Sequence, residues 1–402
     1  MKQIVLTGMI AFLAIAGFAQ KSNVTNAAMA YSSYMENMTA DPATAKKDLL
    51  EAKSYIDLAC VHTETIADPK AWMYKGKIYI DLSAMVMAAM DKAEFAGIQP
   101  EKMMEDGLAA LEKSKEVDAK KRYEEDINSY AAMYEGALKN AGITAYGEDN
   151  YQLAMAGLLG AAKFSEIIGV KDSMLYFFGG IAAYNAKEFA VAEEAFTTCV
   201  QLNYNLSESV GYLAKSMKET GKTAEAEVLL KETVAKYPNN LDVLIQLINF
   251  YIDNNRNQEA GDAISAAIKL DPNNIALVYN SGIIYETLGK MDIAEAAYLK
   301  SLELKPDYTD ALYSLGVFYF NRGADANNIA NDLPFGDPAY DKTIAESKEF
   351  WGKALPYLEK AALAEPNDLV ILESLKQVYG KLSMTEKFKE TKAKIAEISG
   401  KQ

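Results

Sequence analysis

Three prolines set the frame for this chain. Pro238 in YPNN, Pro272 in DPNN and Pro306 in KPDY stand 34 residues apart and then 34 again, each after one helical run and before the next. A fixed period of that length marks a repeat architecture, because one short helical unit cannot bury its own apolar face and must be covered by its neighbour. The same pattern returns in each window: Val210, Leu213, Ala214 and Met217, then Leu244, Leu247, Ile248 and Tyr251, then Val278, Ser281, Gly282 and Tyr285, then Leu312, Leu315, Gly316 and Tyr319. Spacings of three and four put each set on one helical face. A break follows at Gly221, Asn255, Gly289 and Gly323. The second stripe is Ala226, Leu230 and Thr233, then Ala260, Ile264 and Ala267, then Ala294, Tyr298 and Ser301. Small residues let two antiparallel helices approach closely, a Tyr or Leu fills the space between them, and the proline closes the second helix.

These residues resemble the tetratricopeptide-repeat (TPR) family, whose signature is W-x2-L-G-x2-Y, A-x3-F and P over 34 residues. The resemblance is strongest over residues 173–323. It implies an all-α fold, a right-handed α-α superhelical solenoid of about eight TPR or TPR-like hairpins. Upstream, Trp72, Gly76 and Tyr79 form a first helix whose partner comes only at Leu108, Leu111 and Ser114, after a helical stretch through Met85 to Ala96. Residues 126–170, with Tyr151, Ala154, Leu158 and Ala161, read as a hairpin of lengthened helices, and residues 24–60 as a capping pair. Downstream, Pro306 and Pro366 are 60 residues apart, leaving about 26 extra residues between Tyr319 and Ala354. A Lys-rich last helix, before Ser399, suits a cap with no neighbour to cover it. The expected organisation is a signal peptide over 1–19, divergent hairpins over 20–170, a regular array over 171–324, an acidic insertion loop over 325–345, and a final hairpin and cap over 346–402.

The opening MKQIVLTGMIAFLAIAGFAQ has a basic start at Lys2, an apolar run from Ile4 to Phe18 and small residues before a cut after Ala19. That is the composition of a secretory signal, too short for a comfortable membrane span. No later run approaches ~18 apolar residues, so no transmembrane segment is expected after its removal. No Cys lies near the cut to carry a lipid. The chain is therefore expected to be exported, periplasmic or outer-membrane associated. Without residues 1–19 it carries 40 basic and 56 acidic residues, a sign that disfavours nucleic acid and anionic lipid.

Catalytic chemistry finds little material. His62 is the chain's single histidine, and its neighbours match no zinc spacing, so it reads as a surface or capping residue. Cys60 and Cys199 lie 139 positions apart and read as small core residues rather than a disulfide. Acidic runs such as EKMMED, YEED and AEEA fall on polar helix faces. Gly179 and Gly180 read as close helix packing, since no Lys-Ser or Lys-Thr follows them. Asp325, Asp332, Asp337 and Asp341 lack the order of a calcium loop. The expectation is a binding protein with no catalytic residues, no metal and no cofactor.

The resemblance implies groove contacts at fixed positions of the first helices. Carried onto this chain, they are Phe177, Ile181, Tyr184, Ile245, Gln246, Asn249, Ile252, Tyr279, Asn280, Ile283, Tyr313, Ser314, Val317 and Phe320. One reading has these residues grip a protein or peptide, with amides and hydroxyls on its backbone and aromatics on its side chains. The other makes the stripe ordinary core, covered by residues 325–345 or by a tight superhelix. The carboxylate clamp of chaperone-docking TPR domains is approximated only by Lys215 and Lys218, flanked by Glu208 and Glu219, and is not carried over. The functional expectation is a scaffold or adaptor of the cell envelope binding an unidentified protein or peptide. The alternative is a glycan- or nutrient-uptake accessory protein, since aromatic grooves also stack sugars. The sequence sets no oligomeric state.

Overall fold

The computed structural model describes residues 21–89 and 95–400. The expected signal segment, residues 1–19, and part of the expected Met85–Ala96 stretch lie outside them. The described residues hold eighteen helices and no strand. They fall into two units, divided after Gly221.

The first unit holds α1 (21–37), α2 (Pro42–Cys60), α3 (Pro69–Ala88), α4 (Pro100–Val117), α5 (Glu124–Gly147), α6 (Tyr151–Ile168), α7 (Ser173–Asn185), α8 (Phe189–Gln201) and α9 (Leu206–Glu219). Helix starts follow from capping chemistry. Asp68 accepts from the Lys70 N–H at 3.0 Å with Pro69 in the first turn, and Asp172 accepts from Met174 N–H at 2.9 Å. Antiparallel pairing of α3 and α4 is fixed at both ends, where Ser114 Oγ donates to the Pro69 carbonyl and Ser83 Oγ to that of Pro100, each at 2.7 Å. In α5 and α6 the backbones themselves touch: a Cβ on Gly157 would fall 2.7 Å from Gly142 Cα. Any side chain there would force the helices apart.

Helix α3 is enclosed on both sides. Ile78, Leu82 and Val86 pack with Val24, Tyr31, Leu49 and Ile56 of α1 and α2, while Met73 and Ile80 pack with Leu111, Ile127 and Phe164 of α4, α5 and α6. That enclosure traps two charged residues one turn apart, Lys77 and Asp81, at 8 % and 5 % exposure.

The second unit holds α10 (Thr223–Lys236), α11 (Leu241–Asp253), α12 (Asn257–Leu270), α13 (Ile275–Thr287), α14 (Met291–Leu304), α15 (Thr309–Asp332), α16 (Ala339–Ala364), α17 (Leu369–Lys381) and α18 (Thr385–Ser399). The PNN motifs have a local logic. The proline follows the end of one helix, and the second Asn caps the next: Asn240 accepts from Val243 N–H at 3.1 Å and Asn274 from Leu277 N–H at 3.2 Å. Within the α13–α14 hairpin Gly282 faces the Tyr298 ring, and within α15–α16 Leu312 packs with Ala361. The last helix buries only Thr391, as suits a cap.

The extra residues near Pro306–Pro366 do not form the expected acidic loop over 325–345. Helix α15 runs unbroken to Asp332 and α16 begins at Ala339, so the added sequence lengthens both arms of one hairpin. The expected break at Gly323 is helix interior. Gly323, Ala326 and Ala330 form a buried stripe at helical spacing, with Trp351 against Gly323, and Trp351 Nε1 donates to the Phe320 carbonyl at 3.2 Å. A stripe of small residues among Asn and Asp gives no hydrophobic periodicity, yet it is what a close helical approach needs.

Candidate functional site

The fourteen groove positions sort by burial. In the first unit Phe177 is core, 5 % exposed, its ring edge-on to Phe178, Phe196 and Tyr204. It departs from the groove expectation because α8 and the turn after it bring two rings to its side of α7, while Phe178 points outward. Ile181 and Tyr184 are half-buried, the latter edge-on to Phe189 and Tyr212.

In the second unit Ile245, Gln246, Tyr279, Tyr313, Ser314, Val317 and Phe320 are half-buried. Tyr279, Tyr313, Val317 and Phe320 lie against the cluster of Tyr298, Leu315, Phe318 and Leu358, so part of the stripe is wall of the core. Asn249, Ile252, Asn280 and Ile283 are exposed, the two isoleucines by 40 % and 41 %, so residues 325–345 do not cover them. The open strip therefore pairs two amides with two branched apolar side chains on α11 and α13. Each Asn offers both donors and an acceptor, the pattern a peptide group requires.

Along the same face, consecutive first helices meet through hydroxyls. Tyr279 Oη of α13 lies 3.0 Å from Ser314 Oγ of α15, and Tyr313 Oη of α15 lies 3.5 Å from Ser374 Oγ of α17. Burial pushes the Tyr279 phenol above its ordinary range. These seams carry no formal charge.

Titratable and nucleophilic groups elsewhere have structural roles. His62 Nδ1 accepts from Glu64 N–H at 3.3 Å within the turn after α2. Cys60 and Cys199 are free and buried, and burial pushes each thiol up to about 11, away from nucleophilic thiolate. Gly179 and Gly180 meet Leu159 and Phe196 as close packing requires. Among the described residues no group of three or more His, Cys, Asp or Glu side chains is placed to hold a metal ion. No described helix is long and apolar enough to cross a membrane.

Sequence reasoning missed one polar centre in the first unit. Asp81 accepts from Tyr31 Oη at 2.7 Å on Oδ2, and from Tyr130 and Tyr134 Oη at 2.6 Å each on Oδ1. Burial raises its carboxyl above the ordinary range, outweighing the three hydroxyls and the Lys77 charge. The available signal was an acid at a core-facing position of a helix whose neighbours were apolar on every side.

Two family models match within the chain, both described as tetratricopeptide repeat, one over residues 218–281 and the other over 275–308. Residues 218–308 carry TPR repeats. Photosystem I assembly protein Ycf3 of Rippkaea orientalis is 28 % identical over 129 residues, covering 31 % of this chain and 68 % of that protein. The Ycf3 of Acaryochloris marina is 25 % identical over 135 residues, covering 33 % of this chain and 74 % of that protein. Among solved structures, a TPR repeats protein from Bacteroides fragilis is 24 % identical, with a TM-score of 0.31 over 61 % of this chain and 98 % of its own. MamA from Desulfovibrio magneticus is 17 % identical, with a TM-score of 0.38 over 49 % of this chain and 96 % of its own. The open strip Asn249, Ile252, Asn280 and Ile283 lies wholly within the matched TPR repeats, and the hydroxyl seams continue past them to Ser374.

Proposed function

We propose that this chain is a non-enzymatic scaffold or adaptor of the cell envelope, exported by residues 1–19, that binds an extended segment of a partner protein on the first helices of its TPR repeats. The observation that carries this reading is the exposed strip of Asn249, Ile252, Asn280 and Ile283, flanked by the half-buried Tyr279 and Tyr313. Isoleucines and tyrosines supply apolar contact while the asparagine amides satisfy peptide N–H and C=O groups. The similarity to proteins named for the assembly of a larger complex supports a scaffold rather than a catalyst.

A photo-crosslinking residue placed at Ile283 in living cells tests the reading, with a second placed at Val228, which is 53 % exposed on a second helix. The expected result is a crosslink to a discrete polypeptide at 283 that is absent at 228 and disappears when Asn280→Asp is added. Equal labelling at both sites, or capture of this chain alone, overturns it. Export is tested separately by N-terminal sequencing of the envelope fraction, with Gln20 as the expected first residue.

A further inference from the structure

The Asp81 centre opens onto a cavity of about 520 Å³ in the first unit. Its walls are apolar and aromatic: Tyr34, Tyr134, Met38, Met85 and Phe95, with small alanines between them. Met38, 46 % exposed, and the exposed Ala88 leave it a mouth to solvent. Among the described residues Asp81 is the acid that lines it and Lys46 the base, with Lys46 Nζ 4.8 Å from the Phe95 ring centre.

Among the described residues the Asp81 carboxyl group has no ion-pair partner of its own. A carboxylate removed from water needs a counter-charge or a full set of donors. Lys77, one turn before Asp81 on α3, places its ammonium 2.6 Å from Asp126 Oδ1, and the hydrogen bonds of Asp81 come from three neutral phenols. Two of those phenols share Oδ1, so Oδ2, with one donor, retains acceptor capacity. Tyr34 and Tyr134 bring aromatic rings to the same space. From this geometry we infer that the cavity is a binding site for a small organic cation, a protonated amine on an apolar body, with the ammonium on Asp81 and the body against Met38, Met85 and Phe95. The volume falls in the range of small-molecule sites. This site lies apart from the TPR strip, and either reading can fail alone.

The test uses the full chain with its methionine methyls labelled for NMR, titrated with 2-phenylethylammonium chloride and, separately, with 2-phenylethanol, which has a similar body and no charge. The expected result is saturable shifts at Met38 and Met85, with the amine at least about tenfold tighter than the alcohol, as a hydrogen bond to a charged group provides. Asp81→Asn should abolish that preference. Ala88→Trp fills the mouth without touching the phenol–carboxylate contacts and should remove binding of both compounds while leaving the circular dichroism unchanged, which keeps the test valid if Asp81→Asn unfolds. Equal affinities, a preference that survives either substitution, or no saturable shift up to about 10 mM of amine overturns the assignment.

Discussion

Gly282→Ala asks whether the TPR hairpin α13–α14 is held at the closest approach its side chains permit. A methyl at 282 would lie 2.6 Å from Tyr298 Cε1 and 2.7 Å from Cδ1. The ring has little freedom to yield: Tyr298 is 1 % exposed, its hydroxyl donates to Glu286 Oε2 at 2.7 Å, and Phe318 packs edge-on 6.1 Å away. Overpacking of this kind costs about 1–3 kcal/mol, and the better helix propensity of alanine returns up to ~1 kcal/mol. Because the ring is confined, the overpacking cost lies in the upper part of that range, and the net expectation is a loss of about 1–2 kcal/mol. Tyr298→Ala alone should cost about 3–5 kcal/mol through the cavity it leaves. In the double variant the added methyl enters space the ring has vacated, so the two losses should fall short of their sum by about 1 kcal/mol. Urea unfolding followed by far-UV circular dichroism, with amide exchange in α13 and α14, measures each term. A neutral Gly282→Ala, or a strictly additive double variant, refutes the argument that this contact sets the spacing.

In the same urea series Phe177→Ala should cost about 3–5 kcal/mol, whereas Phe178→Ala, next along α7 but exposed, should stay within about 0.5 kcal/mol. Glu227 bonds to Arg256 and Lys231, which hold its carboxyl down at about 2. Its contribution to stability is therefore present above the ordinary carboxylate range and lost as pH falls through about 2. Glu227→Gln should flatten acid unfolding between about pH 4 and 2, and high salt should shrink the difference because the group is only partly buried. For Asp81 the sign reverses. Burial raises its carboxyl, so the stability it contributes is full below the ordinary aspartate range and is lost as pH rises through its folded value. Urea midpoints of Asp81→Asn should accordingly fall less steeply from about pH 4 upward than those of the parent.

The repeat was legible because its determinants are local. Proline spacing, the second Asn of each PNN cap and the small residues at 281, 282 and 316 act within one hairpin and recur. What was not legible depends on partners distant in sequence. Gly323, Ala326 and Ala330 stand among Asn and Asp residues with no local sign that Trp351 of α16 comes against Gly323. Phe177 matched a groove position by number, but Phe196 and Tyr204 turn it inward. Asp81 carried no motif, since its three phenols come from α1 and α5, fifty or so residues away on either side. Repeat arithmetic also could not separate Ile283, which is open, from Val317 at the equivalent position, which lies against the core.

The phenol–serine seams give the second unit a particular mechanical character. Inside a hairpin, contacts such as Gly282 on Tyr298 are steric and have no nearby alternative arrangement. Between first helices, the Tyr279–Ser314 and Tyr313–Ser374 contacts are neutral hydroxyl pairs that water replaces at small cost. Along this face the second unit combines steric locks within hairpins with exchangeable hydroxyl contacts between first helices, over an apolar cluster that runs from Ala294 to Tyr379. For a partner segment bound as proposed above, these exchangeable hydroxyl contacts are the points at which the face would adjust to it while each hairpin stays folded.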